Sequence, residues 1–379
     1  MADIETKRLI RLSKSCLGDA EKLAVMGVLD REFLGMGAEV QKFEEALSEF
    51  FGRPTVCTVN GTAALHLALQ ACGLSNGHEV LVPSLTYIAS FQAISATGAK
   101  PISCDINEQN FLLDFKDAEK RITSRTKAIM PVHYTGGVGN LDTVYKFAEK
   151  YSLRVIEDAA HAFGTTYKSK RVGSFGDIAC FSFDGIKNIT SGEGGCIVSH
   201  DETILQKVRD ARLLGVEKDT DKRYSGERSW DFDTTYQGWR FHMSNIMAAI
   251  GIEQLKRLPE FSVKRQQFAK QYDLLFSGHP TIRPVHRYYD TVVPHIYVVR
   301  ILGMKNRTEM QQKLLEKGIQ VGYHYQPNHW LTLYKNDESQ PLPVTDSIFP
   351  ELMSLPLHPD LAEENVDYVA SELIKLISY

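Results

Sequence analysis

Short apolar runs alternate with segments of helical period from about residue 55 to residue 200. Thr55-Val-Cys-Thr-Val59 opens the series, and Leu65, Ala68, Leu69 and Cys72 follow at the i, i+3, i+4, i+7 spacing of one helix face. Glu79-Val-Leu-Val-Pro83 then precedes a helix from about Tyr87. Pro101-Ile-Ser-Cys-Asp105 and Ala128-Ile-Met-Pro-Val132 precede a helix carrying Val144, Phe147, Ala148 and Tyr151, and Arg154-Val-Ile-Glu-Asp158 comes next. Strand alternating with helix predicts an α/β fold: a mainly parallel sheet whose right-handed crossovers cover both faces with helices. Ligands of such sheets bind outside the carboxyl ends of the strands, where Asp158 and the Asn60-Gly61-Thr62 turn both fall.

After roughly residue 255 the pattern changes. A helix from Met243 to about Arg257 leads into charged helical sequence, then Ile296-Tyr-Val-Val-Arg-Ile301 and a helix from about Thr308. The chain has 379 residues, beyond the size at which one core usually stops growing, so two domains are expected: a large one over 1–255 and a smaller α+β one over 256–379. The polar segment from about Glu217 to Trp230 reads as a mobile loop that covers the site.

Charge and composition narrow the function. The balance of 43 basic and 47 acidic residues, net charge −4 with no long like-charged block, argues against nucleic acid as a partner. No run of about 18 apolar residues suits a membrane span, and the first residues lack a signal-peptide core, which predicts a soluble cytoplasmic protein. The six cysteines lack paired CxxC spacing and read as reduced core thiols; the twelve histidines lack HxxxH or HExxH spacing, so no metal is expected.

Lys187 lies between the apolar run at Cys180 and the glycine-rich turn Thr190-Ser-Gly-Glu-Gly-Gly195, downstream of Asp158. A lone lysine is usually solvated. Here its context suggests pyridoxal phosphate, since an amine can form a Schiff base with that aldehyde and an acid at a strand end can hold the pyridine nitrogen protonated. By itself Asp158 would read as a helix cap; paired with Lys187 it reads as the pyridinium partner. His161 follows on the same side, to bond the phenolic oxygen or stack on the ring, with a structural histidine as the alternative. Gly61, Thr62 and Ala63 open a helix directly after a strand, where free amides suit a phosphate, although a plain helix cap would look the same. Ser182 would project toward that anion. Tyr87, at another strand end, would lie flat on the ring or sit in the core.

The ordered motifs Leu34-Gly-Met-Gly37, Asn60-Gly-Thr-Ala-Ala-Leu65, Pro83-Ser-Leu-Thr-Tyr87, Pro131-Val-His-Tyr134, Glu157-Asp-Ala-Ala-His-Ala-Phe-Gly164, Phe181-Ser-Phe183 with Lys187, and Gly192-Glu-Gly-Gly195 span nearly the whole chain. In this combination the sequence resembles the nucleotide-sugar aminotransferases of the DegT type, within the aspartate-aminotransferase superfold. The resemblance implies that Lys187 carries the cofactor, Asp158 meets the pyridine nitrogen, His161 the phenolic oxygen and Tyr87 the ring face, with Thr62, Ala63 and Ser182 on the phosphate. It also implies a homodimer with shared sites, in which Arg240 or His242 of the segment Gly238–Asn245 reaches the neighbour's phosphate. His324 and His329, in Tyr323-His-Tyr-Gln-Pro-Asn-His329, would touch sugar, as would Asp184, which stands where relatives often have histidine.

Retention of Lys187 argues against the family's dehydratase branch, in which histidine replaces it. The expected reaction moves the amino group of L-glutamate to a nucleotide-linked keto sugar. The Gly-Glu-Gly-Gly form resembles members acting at carbon four, such as dTDP-4-keto-6-deoxyhexose aminotransferases serving O-antigen, lipopolysaccharide or glycan assembly. Alternatives are a carbon-three aminotransferase, a desulfurase-like lyase, and a non-catalytic sensor of sugar or cofactor on the same fold. The lyase lacks a mobile cysteine, since Cys180 and Cys196 lie in strand-like runs. A nicotinamide dehydrogenase lacks GxGxxG after the first strand.

Overall fold

The computed structural model describes residues 9–335 and 340–377. Twelve strands are formed among these: β1 Thr55–Thr58, β2 Glu79–Pro83, β3 Lys100–Cys104, β4 Thr126–Ile129, β5 Arg154–Asp158, β6 Thr166–Tyr167, β7 Lys170–Arg171, β8 Ile178–Ser182, β9 Gly195–Ser199, β10 Ile282–Pro284, β11 Tyr297–Ile301 and β12 Leu352–Leu355. Seven make the main sheet in the order β1-β9-β8-β5-β4-β2-β3. From β8 to β3 every pairing is parallel, and β9 runs against both its neighbours. The strand positions follow the apolar runs of the sequence to within a few residues.

Both faces of this sheet are buried, and the side chains divide between them with the period of two that a pleated strand imposes. Val56, Val80, Val82, Ile156, Ile178 and Ile197 join one core with Leu65, Leu69, Phe91, Ile94 and Leu205. Cys57, Leu81, Val155, Cys196 and Val198 point the other way, into a core with Phe43, Leu47, Phe147, Ala248 and Phe261. The strands of the central pairs therefore carry apolar residues at consecutive positions.

Helix starts are set locally. Asn60, Asn140, Asp201 and Ser244 each accept a backbone amide of the first turn of the helices Gly61–Ala71, Leu141–Lys150, Glu202–Ala211 and Asn245–Leu275. The last of these differs from expectation, running on to Leu275 instead of stopping near Arg257. It continues through Pro259, whose ring typically costs about 3 kcal/mol inside a helix, because Leu258, Phe261, Arg265, Phe268, Ala269 and Tyr272 keep one face buried along its length. Its second half enters a third core with Tyr297, Met353, Leu355, Val366 and Leu373 around the antiparallel sheet β10-β11-β12.

Chain segments cross between the two sheets. Ile10 pairs in parallel with Ile319, and Leu357 donates its amide to Leu12, so the first described residues attach to the C-terminal part. Glu217–Trp230, expected as a loop over the site, contains the helical turn Asp219–Tyr224. Arg223 and the Ser229 amide both bind the Asp219 carboxylate there, at 2.7 and 2.9 Å. No helix among the described residues is long and apolar enough to cross a membrane.

Arg265 ties these parts together. Its guanidinium is 1% exposed and donates to the carbonyls of His295 (2.9 Å), Leu357 (3.3 Å) and Lys187 (3.5 Å), while burial pushes its pKa down to about 10. Arg265→Met removes the donors and strands three carbonyls in a dry core. It should destabilise the protein by about 2–4 kcal/mol, read as a lower urea midpoint at unchanged slope.

Candidate active site

The carboxyl ends of β1, β2, β5 and β8, and the start of the antiparallel β9, open onto one cleft of about 410 Å³. Asn60, Gly61 and Thr62 line it after β1, Thr86 and Tyr87 after β2, Asp158 and His161 after β5, Ser182, Asp184 and Lys187 after β8, and Glu193 before β9. His324 and Tyr325 close it from the C-terminal part. Nine of the thirteen residues singled out by sequence thus meet in one place.

Lys187 stands in a loop with little freedom. Its amide bonds the Asp184 carbonyl (3.0 Å), and the neighbouring Asn188 is buried, its amide group donating to Phe163 and Val293 carbonyls (2.9 and 3.3 Å). The amine lies 3.4 Å from Nε2 of His295. Desolvation lowers the lysine pKa to about 8 against the opposing pull of Asp158 and Asp184. His295 in turn stays neutral, held well below the usual histidine range by burial and by Lys187.

Asp158 is 6% exposed at the end of β5, where Oδ2 accepts from Ser90 Oγ at 2.6 Å and Oδ1 from the Ala160 amide at 3.3 Å. His161 shares a 2.9 Å hydrogen bond with the Tyr325 hydroxyl through Nε2 and packs its ring 4.6 Å from that of His295. Burial, then the charge of Lys187, hold His161 well below the usual histidine pKa, and its Nδ1 is a buried atom with no hydrogen-bond partner. Tyr87, by contrast, is exposed, its ring centroid 5.4 Å from that of Tyr325.

An anion cradle is built where the Gly61 helix begins. A Cβ on Gly61 would stand 2.8 Å from the Ser182 Cβ, and one on Gly195 would stand 2.5 Å from the Asn60 carbonyl oxygen, so both glycines let β8 and β9 approach the helix end. The amide of Ala63 is already bonded to Asn60 Oδ1 at 2.8 Å and that of Ala64 to the Asn60 carbonyl at 3.1 Å. Ala63 is therefore not the free donor that sequence suggested; its amide serves the cap instead. Gly61, Thr62 and Ser182 line the cleft at this helix start.

Three other sequence-based candidates lie elsewhere. Arg240 and His242 line a second cavity, of about 280 Å³, with Glu32, Met36, Arg223 and Arg228, because the Gly238–Asn245 segment returns along the Leu213 bridge before its helix begins. The segment 223–228 borders that same cavity and not the main cleft. His329 is held between Ser84 Oγ (2.7 Å) and Asp346 (2.9 Å), which uses both ring nitrogens to fasten a loop. Conversely, Ser90, Glu193, His295 and Tyr325 support or line the cleft without having been picked out. Tyr325 sits between the two histidines chosen from its motif, and a phenol there is as informative as an imidazole; Ser90 and His295 carry no spacing signal.

These residues fit pyridoxal phosphate. A partly desolvated amine, a buried carboxylate at the neighbouring strand end, an unpartnered Nδ1 and a glycine-lined helix start match its aldehyde, ring nitrogen, phenolic oxygen and phosphate in turn.

Comparison with known proteins agrees. The DegT/DnrJ/EryC1/StrS aminotransferase family matches residues 15–374. Spore coat polysaccharide biosynthesis protein SpsC of Bacillus subtilis is 34% identical over 362 residues, 93% of this chain and 93% of that protein. The putative sugar aminotransferase Spr1654 of Streptococcus pneumoniae in its PLP form superposes with a TM-score of 0.90 at 30% identity, covering 98% of this chain and 99% of that one. Helicobacter pylori PseC, an aminotransferase involved in the biosynthesis of pseudoaminic acid, gives 0.90 at 29% identity over 98% and 100% of the two chains. The chain belongs to the DegT/DnrJ/EryC1/StrS aminotransferase family.

A lysine titrating at about 8 attacks an aldehyde only in its neutral form. Capture of pyridoxal phosphate by the apoprotein, followed as growth of the visible band, should slow about tenfold per pH unit below that value and level off above it. A rate that does not change through this range would contradict the assignment.

Proposed function

We propose that this aminotransferase is a pyridoxal-phosphate enzyme that moves the amino group of L-glutamate to a nucleotide-linked 4-keto-6-deoxyhexose. The observation that carries the reading is the partly desolvated Lys187 amine, sharing one cleft with Asp158 at adjacent strand ends. When bound, the cofactor supplies an electron-accepting ring that stabilises negative charge on the substrate carbon. Lys187, whose lowered pKa of about 8 leaves a usable neutral fraction near physiological pH, would hold the cofactor and then exchange a proton at that carbon. Asp158 keeps the ring nitrogen protonated, Tyr87 covers one ring face, and Gly61, Thr62 and Ser182 take the phosphate. With the Tyr325 hydroxyl donating to Nε2, His161 carries its proton on Nδ1 and offers it to the phenolic oxygen.

The sugar class rests on the relatives and on the charge of the cleft. SpsC is named for spore coat polysaccharide biosynthesis, and PseC is described as involved in the biosynthesis of pseudoaminic acid. The acidic side chains that line the cleft are Asp158, Asp184 and Glu193, and no arginine lines it among the described residues. Burial and Asp184 raise the Glu193 pKa, so the two carboxyls already strain against each other. The two carboxyls can accept hydrogen bonds from sugar hydroxyls, with Asp184 and His324 as the sugar contacts, and the carboxylates of glutamate then need a cation from outside this lining.

The same scarcity of cations motivates a second copy of the chain as partner. Leu17, Leu23, Met26, Leu29, Phe33 and Leu34 are exposed apolar residues before, on and after the Asp19–Asp30 helix, and the last two line the cavity that Arg240 and His242 share. In a homodimer that face is covered, and Arg240 or His242 serves the neighbour's phosphate.

Adding L-glutamate to the cofactor-loaded protein should replace its visible band with the pyridoxamine form, and the keto-sugar nucleotide should restore the band. Lys187→Ala should never develop the band. No response to glutamate sinks the donor assignment, binding of sugar without restoration favours a sensor, and an amine at carbon three by NMR moves the regiochemistry. Mixing inactive Lys187→Ala with an inactive Arg240→Ala/His242→Ala variant should regain up to about a quarter of wild-type turnover by forming one intact site per mixed dimer; no regain argues against shared sites.

A further inference from the structure

We propose that Ser90 is a positioning residue that fixes the Asp158 carboxylate for the cofactor's ring nitrogen, with Thr86 setting the direction of its hydroxyl. Ser90 lies in the first turn of the Ile88–Ala96 helix and is fully buried, at 0% exposure. A serine in a helix commonly returns its hydroxyl to a backbone carbonyl one turn earlier. Ser90 instead reaches across to Asp158 Oδ2 at 2.6 Å, and Thr86 Oγ1 lies 3.0 Å from the same Ser90 oxygen.

Proton counting gives these contacts a direction. A carboxylate only accepts, so the single Ser90 proton goes to Asp158. The Thr86–Ser90 contact must then run from the threonine hydroxyl to the serine oxygen. The result is an ordered chain, Thr86 Oγ1–H to Ser90 Oγ–H to Asp158 Oδ2, in which each bond polarises the next. The terminal torsion of an aspartate is broad and nearly two-fold, so without a partner on one oxygen its plane is poorly defined. With Oδ2 committed to Ser90 and Oδ1 bound only by the long 3.3 Å amide contact of Ala160, Oδ1 keeps the acceptor capacity for a ring N–H.

The placement of this turn adds a second function. Tyr87, between the two hydroxyl residues, caps the same helix and lines the cleft, so one turn sets both the ring-covering tyrosine and the plane of the acid at the ring edge. Asn328 fastens that turn from the C-terminal side, donating to the carbonyls of Thr86 (2.8 Å) and Ser84 (3.1 Å). The Thr86 end of the chain is therefore held from the C-terminal part.

The inference rests on Asp158 as the ring-nitrogen partner, and the test separates the two claims. Pyridoxal phosphate affinity is measured on apoprotein by quenching of intrinsic fluorescence, together with the pH midpoint of the visible band and the Tm of the apoprotein, for Asp158→Asn, Ser90→Ala, Ser90→Thr and Thr86→Val. Ser90→Ala should weaken cofactor affinity about tenfold, the cost of one buried charge-assisted hydrogen bond, and displace the band midpoint. Ser90→Thr, which keeps the hydroxyl, should stay near wild type, and Thr86→Val should move both readouts the same way by less. On the Asp158→Asn background, Ser90→Ala should add nothing. If Asp158→Asn leaves affinity and band unchanged, the reading of Asp158 falls. If Asp158→Asn alters them while Ser90→Ala changes only Tm, Ser90 is merely structural and the proposal is overturned; should Ser90→Ala fail to fold, an unaffected Thr86→Val overturns it equally.

Discussion

A lysine amine held half out of water at the carboxyl end of a parallel sheet is the constraint to which the rest of the cleft answers. Solvation would keep such an amine charged and unreactive; full burial without partners would be too costly to fold. Lys187 sits between these limits because carboxylates stand near it while His295, 3.4 Å from the amine, and His161 behind it are held neutral by burial. Parallel topology supplies the setting, since neighbouring strands end side by side and their following turns gather around a single opening. The one reversed strand, β9, contributes its start to the same opening and so brings Glu193 to the wall.

Holding that amine requires both parts of the chain. The backbone of Lys187 is tied through Arg265 to His295 and Leu357, and its side chain meets a histidine that leads into β11. Opposite, the loop bearing His324 and Tyr325 is fastened by Asn328 and His329 to Ser84 and Thr86 at the end of β2, while the buried Tyr134 hydroxyl binds the His324 carbonyl. The long Asn245–Leu275 helix packs into the cores of both parts. Catalytic geometry in this fold is thus a property of the joint between its two sheets, and polar contacts there are mostly to backbone carbonyls, which position without selecting a side chain.

What the sequence by itself determined is everything with a short range or a strict period. Alternating patterning placed the strands of the main sheet, the Asn60-Gly61-Thr62 turn after an apolar run announced a helix start, and the glycine-rich turn after an apolar run singled out Lys187. Asp158 and His161 followed because the end of a parallel strand is a fixed place in space once the topology is known. Only the tertiary structure decided which groups reach that place from far along the chain. His295 and Tyr325 come from more than a hundred residues beyond Lys187 or Asp158, and Ser90 is a polar residue on the buried face of its helix whose partner lies sixty-eight residues away. It also decided against local expectation: Ala63 spends its amide on the cap, His329 spends both nitrogens on a loop, and the helix past Arg257 outruns its proline. Periodicity records which face of an element is buried, but a hydrogen bond between distant segments leaves no period, and its partners are fixed only when packing brings them within about 3 Å.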